Sequence, residues 1–158
     1  MKLLVLSDSH GEGRKIMRFL DTPDAYTHVL YLGDGWRDAE VLQYAFPIQF
    51  AAVKGNCDYD CDWNEEYTFW AGNTRIFMTH GHRYNVKYGL GSLAAAAKAN
   101  GASIALYGHT HRADVSYVDG VLCINPGHVC YPCTTATYAE IVIEGEQVLP
   151  KIVKFEKN

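Results

Sequence analysis

Ile104-Ala105-Leu106-Tyr107-Gly108-His109-Thr110-His111 joins a short apolar run to two histidines that one threonine separates. The same combination opens the chain, where Leu3-Leu4-Val5-Leu6 leads into Ser7-Asp8-Ser9-His10-Gly11. Short runs of leucine, isoleucine and valine are typical of buried strands, so both polar motifs are predicted to follow directly on strand ends. Carboxylates and imidazoles are common metal ligands. Their presence at opposite ends of a small chain indicates that the fold brings them together around metal.

Three further motifs of the same kind lie between these two. They follow apolar runs at residues 29–32, 50–53 and 76–78, and they read Gly33-Asp34-Gly35, Gly55-Asn56-Cys57-Asp58 and Thr79-His80-Gly81-His82. A single motif is as well explained by an ordinary turn as by a ligand. Five motifs at successive strand ends favour one site built from loops, because glycine lets the backbone turn sharply beside each polar residue.

The composition is that of an ordinary globular domain. The chain has 158 residues, of which 48% are hydrophobic, and its formal net charge is -4. We expect one domain over residues 1–158 with a full hydrophobic core. Because lysine and arginine form no cluster in the sequence, broad electrostatic binding to nucleic acid is not expected.

The sequence also bears on the compartment. The N-terminus lacks the pattern of a signal peptide, and no apolar stretch reaches the length of a transmembrane helix. We therefore expect a cytoplasmic protein without membrane contact. Five cysteines, an odd number, are expected to be reduced thiols rather than a disulfide framework.

The order of the apolar runs predicts a parallel α/β unit in the first half and antiparallel β structure in the C-terminal third. Helices are predicted near 13–21, 37–45 and 86–99, the last with Asn85 as its N-cap. Hairpins are predicted over 67–79, 115–124 and 138–155, with turns at Gly72-Asn73, Asp119-Gly120 and Glu144-Gly145-Glu146.

With these motifs in view, the chain resembles the calcineurin-like metallophosphoesterase superfamily, in particular its small single-domain bacterial and archaeal phosphodiesterase branch. The pattern of Asp-x-His, Gly-Asp, Gly-Asn-x-Asp, Gly-His and Gly-His-x-His is specific as an ordered set and covers essentially the whole chain. The resemblance implies a four-layer α/β/β/α sandwich with mixed sheets, antiparallel C-terminal hairpins and two metals at the strand ends.

The resemblance also implies a ligand set and a reaction. It assigns Asp8, His10 and His111 to one metal and Asn56, His80 and His109 to the other, with Asp34 bridging both. We expect two divalent transition-metal ions, Mn2+ first, with Fe, Ni or Zn as alternatives. In such a site the ions share a hydroxide that attacks phosphorus in line, and both ions neutralise the oxygens that gain charge. The implied activity is a metal-dependent phosphodiesterase.

Cys57 departs from the wider superfamily, in which many members have histidine at this position and use it on the leaving group. A thiol with an ordinary pKa near 8.5 is a weaker proton donor than imidazole. Cys57 is therefore either a catalytic residue or a side chain that fills a small space beneath the metals. Together with Asp34 and Asn56, His82 is a further catalytic candidate, and it faces the cleft if the chain turns at Gly81.

A second departure is Asn125-Pro126-Gly127-His128-Val129-Cys130-Tyr131-Pro132-Cys133, in which His128 and Cys133 stand where relatives commonly have serine and arginine. His128 joins Asn56 and His82 as a candidate for substrate binding. The Cys130-x-x-Cys133 pair with His128 resembles a zinc or redox motif. Ordinary loop cysteines are the interpretation that we favour.

The segment from Asp58 to Glu66 carries the five carboxylates Asp58, Asp60, Asp62, Glu65 and Glu66. We interpret it as a solvated acidic loop that would repel long polyanions. The expected partner is therefore a small phosphodiester and not a nucleic-acid polymer, and a homo-oligomer remains open. Two alternatives are a phosphomonoesterase of the same fold and a non-catalytic protein-interaction scaffold of the retromer-subunit type.

Overall fold

The computed structural model describes residues 1–19, 25–130 and 135–155. Within these ranges the helices are α1 (Gly13–Phe19), α2 (Trp36–Ala45) and α3 (Gly91–Ala99), and a short 3-10 helix spans His82–Tyr84. The strands are β1 (Lys2–Leu6), β2 (His28–Tyr31), β3 (Gln49–Ala52), β4 (Glu66–Ala71), β5 (Thr74–Thr79), β6 (Ile104–Leu106), β7 (Asp114–Val118), β8 (Val121–Asn125), β9 (Thr137–Glu144) and β10 (Gln147–Lys154).

The strands form two five-stranded mixed sheets. The first has the order β10-β9-β1-β2-β3, and the second has the order β4-β5-β6-β8-β7. In the first sheet β1, β2 and β3 run parallel, as expected for the first half of the chain, and β9 and β10 add the expected antiparallel hairpin. The predicted mixed α/β fold with antiparallel C-terminal hairpins is confirmed.

Parallel pairing also organises the second sheet, where β6 lies between β5 and β8 and runs parallel to both. The carboxyl ends of these three strands therefore meet at one edge of the sheet. The motifs at Thr79–His82 and Gly108–His111 follow two of them. The third strand, β8, leads into Pro126-Gly127-His128, which explains how that segment joins the same region.

One hydrophobic core draws on both sheets. Leu3 and Val5 of β1 share it with Met78 of β5 and Leu106 of β6, and all four side chains are fully buried. Alternate residues of a strand point to opposite faces, so Leu4 and Leu6 leave this core. Complete burial of such a side chain contributes about 1.5–3 kcal/mol each, which makes the contact between the sheets a main source of stability.

The helices cover the outer faces of the sheets. Leu4 and Leu6 pack with Ile16 of α1 and Leu42 of α2, and a separate cluster joins β5 and β6 to Leu93 of α3. The two clusters and the shared core account for the nearly continuous burial along the central strands β1, β2 and β6, which are covered on both faces. Helices thus close both sheets from outside and leave the carboxyl ends of the strands for the polar loops.

The helix expected over 86–99 is shorter than predicted. It begins at Gly91 with Leu90 as its N-cap, and Asn85 instead follows the 3-10 helix in a left-handed conformation with φ 49°. The N-cap assignment to Asn85 is wrong because its carbonyl accepts the amide of Tyr88 in a separate turn, and the glycine at 89 then takes φ 152° before the helix starts. For the first predicted helix, residues 20 and 21 lie outside the described residues.

The part of the chain that the structure describes contains no helix long and apolar enough to cross a membrane.

The contacts of Glu140 in β9 lead to a prediction about stability. Its carboxylate accepts a hydrogen bond of 2.5 Å from the Tyr26 hydroxyl and lies 3.0 Å from Lys2 Nζ. Burial opposes ionisation, but these two partners outweigh it and hold the pKa of Glu140 below its ordinary value. A lowered folded-state pKa contributes stability above the pKa of the unfolded chain, and that contribution is lost as pH falls through the folded value. We expect Glu140→Gln to lower the free energy of unfolding by about 1 kcal/mol at pH 7.

Urea unfolding of wild type and Glu140→Gln between pH 7 and pH 3 measures this difference, which should shrink towards zero at the acidic end. The matched control is Glu144→Gln, at the exposed end of the same strand. A loss that stays equal at every pH would contradict the assignment.

Candidate metal centre

Five polar side chains at the strand ends sit on backbone in the left-handed region. These are Asp8, His10, Asp34, His109 and His111, with φ of 55°, 45°, 59°, 68° and 59°. Residues other than glycine seldom adopt this conformation, because the β-carbon crowds the following carbonyl. It persists where surrounding contacts determine it, and it clusters at functional sites. The strained positions coincide with five of the seven side chains that the sequence motifs nominate as metal ligands.

Asp8 is fully buried and presents one oxygen to the imidazoles. Its Oδ2 accepts hydrogen bonds from Ser7 Oγ at 2.5 Å and from the His109 amide at 3.1 Å. Its Oδ1 lies 3.1 Å from His111 Nε2 and 3.8 Å from His10 Nε2, yet has no hydrogen-bond partner of suitable geometry among the described residues. A buried oxygen without a donor is costly unless a cation faces it. The short contact with Asp8 and its charge also raise the pKa of His111.

Asp34 lies between the two groups of histidines. Its Oδ1 accepts the amide of Cys57 at 2.8 Å, and its Oδ2 lies 3.2 Å from His80 Nε2 and 3.8 Å from His10 Nε2. Burial alone raises the pKa of Asp34, but the close contact with His80 and its charge, together with the Cys57 amide, outweigh it and hold the pKa well below the ordinary value. The carboxylate is therefore ionised at neutral pH and faces ligands from both sides.

His80 is oriented by its backbone contact. Its Nδ1 lies 2.7 Å from the carbonyl oxygen of Leu32, and the ring is fully buried. A carbonyl only accepts hydrogen bonds, so Nδ1 carries the proton and Nε2 is turned towards Asp34. In metal sites a histidine is commonly held in this way, with the distal nitrogen hydrogen-bonded and the other left for the metal.

The ligand atoms gather into compact groups. Among the described histidines, cysteines and carboxylates, three sets have all their ligand atoms within 4.8 Å of one another. These sets are Asp8, His10 and His111; Asp34, His80 and His109; and His10, Asp34 and Cys57. The first set contains three residues that were predicted for one metal, and the second contains His80 and His109, which were predicted for the other, with Asp34, which also lies next to His10. Each set offers imidazole and carboxylate donors, which suit divalent transition metals.

Asn56 and Cys57 lie on the exposed side of this arrangement. The amide nitrogen of Asn56 is 3.5 Å from Cys57 Sγ, and both side chains are exposed. The interpretation that Cys57 fills a small space beneath the metals is therefore wrong, because its thiol is at the surface beside His10 and Asp34. Although it is exposed, partial desolvation and the charge of Asp34 raise the pKa of Cys57, so the thiol stays protonated at neutral pH.

His82 and His128 border the ligand groups. The chain turns at Gly81, with φ 105°, and the His82 ring lies 5.5 Å from that of His80. His82 therefore has the cleft-facing orientation that was expected if the chain turned at Gly81. The ring of His128 lies 5.4 Å from that of His111. Burial first and the neighbouring histidine second lower the pKa of each ring, His80 acting on His82 and His111 on His128. Both imidazoles are neutral near pH 7.

Cys130 also reaches the site from the segment after β8. Its buried sulfur is 3.8 Å from His111 Nδ1. Cys133 lies outside the described residues, so the zinc and redox interpretations of the Cys130-x-x-Cys133 pair stay predictions, as does the loop interpretation.

Asp58 organises the loops although the sequence placed it only in an acidic segment. Its two carboxylate oxygens accept four backbone amides, those of Asp34, Gly35, Trp36 and Gly55, at 2.7 to 3.0 Å. Asp58 is buried, so its assignment to a solvated loop is wrong. The Gly-Asn-x-Asp motif already contained this residue. The motif could therefore have pointed to a structural role for Asp58, but the acidic residues that follow it suggested that its side chain is exposed to solvent.

The remainder of the acidic segment is partly neutralised. Glu65 pairs with Arg83, and Glu66 accepts a hydrogen bond from the Tyr84 hydroxyl. With Asp58 turned inward, fewer carboxylates than expected face solvent. The negative rim that was expected to repel long polyanions is correspondingly weaker.

Two further residues that sequence reasoning missed hold the ligand loops. Asp38 Oδ2 accepts hydrogen bonds from Ser9 Oγ at 2.5 Å and from the Gly11 amide at 2.8 Å, on either side of His10. Asn125 Nδ2 donates to the carbonyl of Gly108 and to Thr110 Oγ1, both at 3.0 Å. Neither residue stands in a ligand motif, so only their contacts reveal the role.

Glycine is required at two positions by close approach. A β-carbon at Gly55 would lie 2.1 Å from Asp34 Oδ1, and one at Gly108 would lie 2.1 Å from Ser7 Oγ and 2.7 Å from Asp8 Oδ2. Real contacts of β-carbons are longer than 3 Å. The bare backbone at these two glycines therefore allows the loops to close around the buried carboxylates.

The model of the calcineurin-like phosphoesterase superfamily domain matches residues 1–146. The chain belongs to this superfamily. The resemblance drawn from the five motifs is thereby confirmed, and the fold is that of calcineurin-like phosphoesterases.

Curated relatives agree with this membership. The chain is 32% identical over 149 residues to the probable metallophosphoesterase YsnB of Bacillus subtilis, which covers 92% of this chain and 86% of the relative. It is 41% identical over 56 residues to the phosphodiesterase MJ0936 of Methanocaldococcus jannaschii, which covers 35% of this chain and 30% of the relative.

A solved structure of the same fold carries the name Vps29. The D62A variant of Vps29 from Entamoeba histolytica superposes with a TM-score of 0.74 at 23% identity and covers 99% of this chain and 100% of its own. At this level of identity the likeness concerns the fold alone. The same fold thus supports proteins of different names, and the function must be argued from the site.

The four hydrogen bonds that Asp58 accepts lead to a prediction about stability. An asparagine in its place keeps one acceptor oxygen but turns an amide nitrogen towards two backbone amides, which leaves buried donors without partners. We expect Asp58→Asn to lower the free energy of unfolding by about 2–4 kcal/mol in urea titrations without added metal. Asp60→Asn is the matched control, because Asp60 is exposed and its left-handed backbone suits asparagine. Equal stability of the two variants would disprove the role of Asp58.

Proposed function

We propose that the protein is a metal-dependent phosphodiesterase that hydrolyses a small phosphodiester at a two-metal site. The observation that carries the proposal is the buried Asp34 carboxylate, which lies within 4 Å of imidazoles from two different loops. The residues proposed to hold the metals are Asp8, His10 and His111 for one, Asn56, His80 and His109 for the other, and Asp34 for both.

The residues present suit divalent transition metals. Asp8 Oδ1 and His80 Nε2 are buried atoms without hydrogen-bond partners of suitable geometry among the described residues, and they face the same space. Imidazole and carboxylate donors together favour Mn, Fe, Ni or Zn over Ca. Mn2+ is the first candidate for the native ion, and Fe, Ni and Zn are the alternatives, among which the availability of each metal decides.

When bound, two such ions lower the pKa of water at the site and neutralise the phosphoryl oxygens that gain charge. The chain supplies the positions of these groups. The hydrogen bond from His80 Nδ1 to the Leu32 carbonyl holds the ring in one orientation, and the amide of Cys57 does the same for Asp34. Loops fixed in this way need little reorganisation during the reaction.

The side chains around the ligand groups are proposed to bind substrate. Neutral rings at His82 and His128 can each donate one hydrogen bond to a phosphoryl oxygen, and the exposed amide of Asn56 is a further donor. Cys57 remains a protonated thiol beside Asp34. Since its pKa is raised, it is a poor general acid for an alkoxide leaving group.

Cleavage of diesters rather than monoesters is supported by the relative that is named a phosphodiesterase. A small substrate is supported by the net charge of -4, which disfavours nucleic-acid polymers. Phosphomonoesterase activity and a non-catalytic scaffold remain the alternatives. Hydrolysis assays with matched mono- and diesters distinguish the first, and the metal test below distinguishes the second.

Replacement of Asp34 tests the proposal. We expect Mn2+ to stimulate hydrolysis of bis(4-nitrophenyl) phosphate by the wild-type protein, and Asp34→Asn to reduce the rate by about 10²-fold or more, because the shared carboxylate is lost. Calorimetric titration with Mn2+ should show weaker binding in the same variant. Asp119→Asn is the control, because Asp119 occupies a left-handed position in the remote turn between β7 and β8. No turnover with any divalent metal would favour the scaffold.

The leaving group provides a second test. Because no general acid with a suitable pKa stands at position 57, departure of a poor leaving group is expected to limit the rate. In a series of aryl methyl phosphodiesters, kcat/KM should fall by about 10²-fold or more from the 4-nitrophenyl to the phenyl ester. Comparable rates across the series would mean that another residue protonates the leaving group effectively.

A further inference from the structure

A cavity of about 630 Å³ adjoins the candidate metal centre. Thr110 lines it, and Thr110 is the residue between His109 and His111. The segment before α3 also lines the cavity through Val86, Lys87 and Leu90. The cavity lies in the range of volumes that bind small organic molecules. A group attached to a phosphorus at the metal centre could therefore extend into it.

The walls of the cavity combine an apolar floor with two cations at its mouth. Val86 and Tyr107 are almost fully buried at 5% and 3% exposure, whereas Lys87 and Arg112 are exposed. Such a surface suits a short carbon chain against the floor and an anionic group near the mouth.

The two cations are available to a ligand. Within the described part of the chain, neither Lys87 nor Arg112 has a carboxylate within ion-pair distance. The one carboxylate of the cavity, Asp114, instead accepts the Tyr107 hydroxyl at 3.2 Å and Ser116 Oγ at 2.8 Å. The region is thus locally positive in a chain whose net charge is -4.

We propose that this cavity binds one ester arm of a small phosphodiester and that this arm ends in an anionic group, a carboxylate or a phosphate. Lys87 and Arg112 pair with the anion, and the floor of Val86 and Tyr107 contacts the carbon chain. This specificity rests on the proposed phosphodiesterase function and goes beyond it, because it states what the substrate carries besides the ester that is cleaved.

Competitive inhibition of bis(4-nitrophenyl) phosphate hydrolysis, with Mn2+ present, tests the proposal. The probes are methyl propyl phosphate, methyl 3-carboxypropyl phosphate and methyl 3-(phosphonooxy)propyl phosphate, which differ only at the end of one arm. Exposed ion pairs contribute up to about 1 kcal/mol each, so an anionic arm should lower Ki by about tenfold relative to the neutral arm. The two anionic probes show whether carboxylate or phosphate is preferred.

Arg112→Gln and Lys87→Gln should each reduce this ratio of inhibition constants by about threefold to fivefold. Lys98→Gln removes the same charge from an exposed position of α3 and should leave the ratio as in wild type. An anion that binds the metals instead would keep its advantage in both cavity variants, and that result overturns the proposal, as do equal inhibition constants in wild type. If bis(4-nitrophenyl) phosphate is not hydrolysed with any metal, the proposed function fails, and this specificity fails with it.

Discussion

Two buried carboxylates that face the same imidazoles constrain the whole site. Asp8 and Asp34 are almost fully excluded from solvent, and both approach His10 and His80 within 4 Å. Like charges buried together are unstable unless protons or cations compensate them. The histidines supply part of that compensation. Asp8 Oδ1, which has no hydrogen-bond partner of suitable geometry among the described residues, indicates that they do not supply all of it. Divalent cations would complete it.

The protein meets this constraint by holding the loops with backbone contacts. Asp58 accepts hydrogen bonds from four backbone amides in the loops after β2 and β3. Asp38 and Asn125 form hydrogen bonds with the backbone of the loops that carry His10 and His109. These contacts stabilise backbone conformations that are otherwise unfavourable at the ligand positions. The left-handed backbone at the candidate ligands therefore depends on the hydrogen bonds of Asp58, Asp38 and Asn125. A change at Asp58 would affect several ligands at once without touching any of them.

Much of the fold and of the candidate site could be read from the sequence. The apolar runs before each polar motif correctly located the strands, since buried strands require such runs. The predicted start of the third helix was wrong because Gly89 and Leu90, rather than Asn85, set the local backbone. Cys57 and Asp58 were misjudged for a related reason. Whether a polar side chain faces solvent or accepts hydrogen bonds from backbone amides depends on residues that are distant in the sequence. The composition of the surrounding segment gives no information about those residues.

The motifs were sufficient to identify the family and to nominate candidate ligands, because each nominated residue follows closely on a strand and the strand pattern is local. The grouping of Asp8 with His10 and His111 was expected from the family resemblance, and the folded chain brings their ligand atoms within 4.8 Å of one another. Only the folded chain showed that Gly81 turns His82 towards His80 and that β8 brings His128 beside His111. The same holds for the cavity between Lys87 and Arg112. The physical reason is that parallel pairing of β5, β6 and β8 aligns strand ends from separate parts of the chain, and distances between such parts are a property of packing.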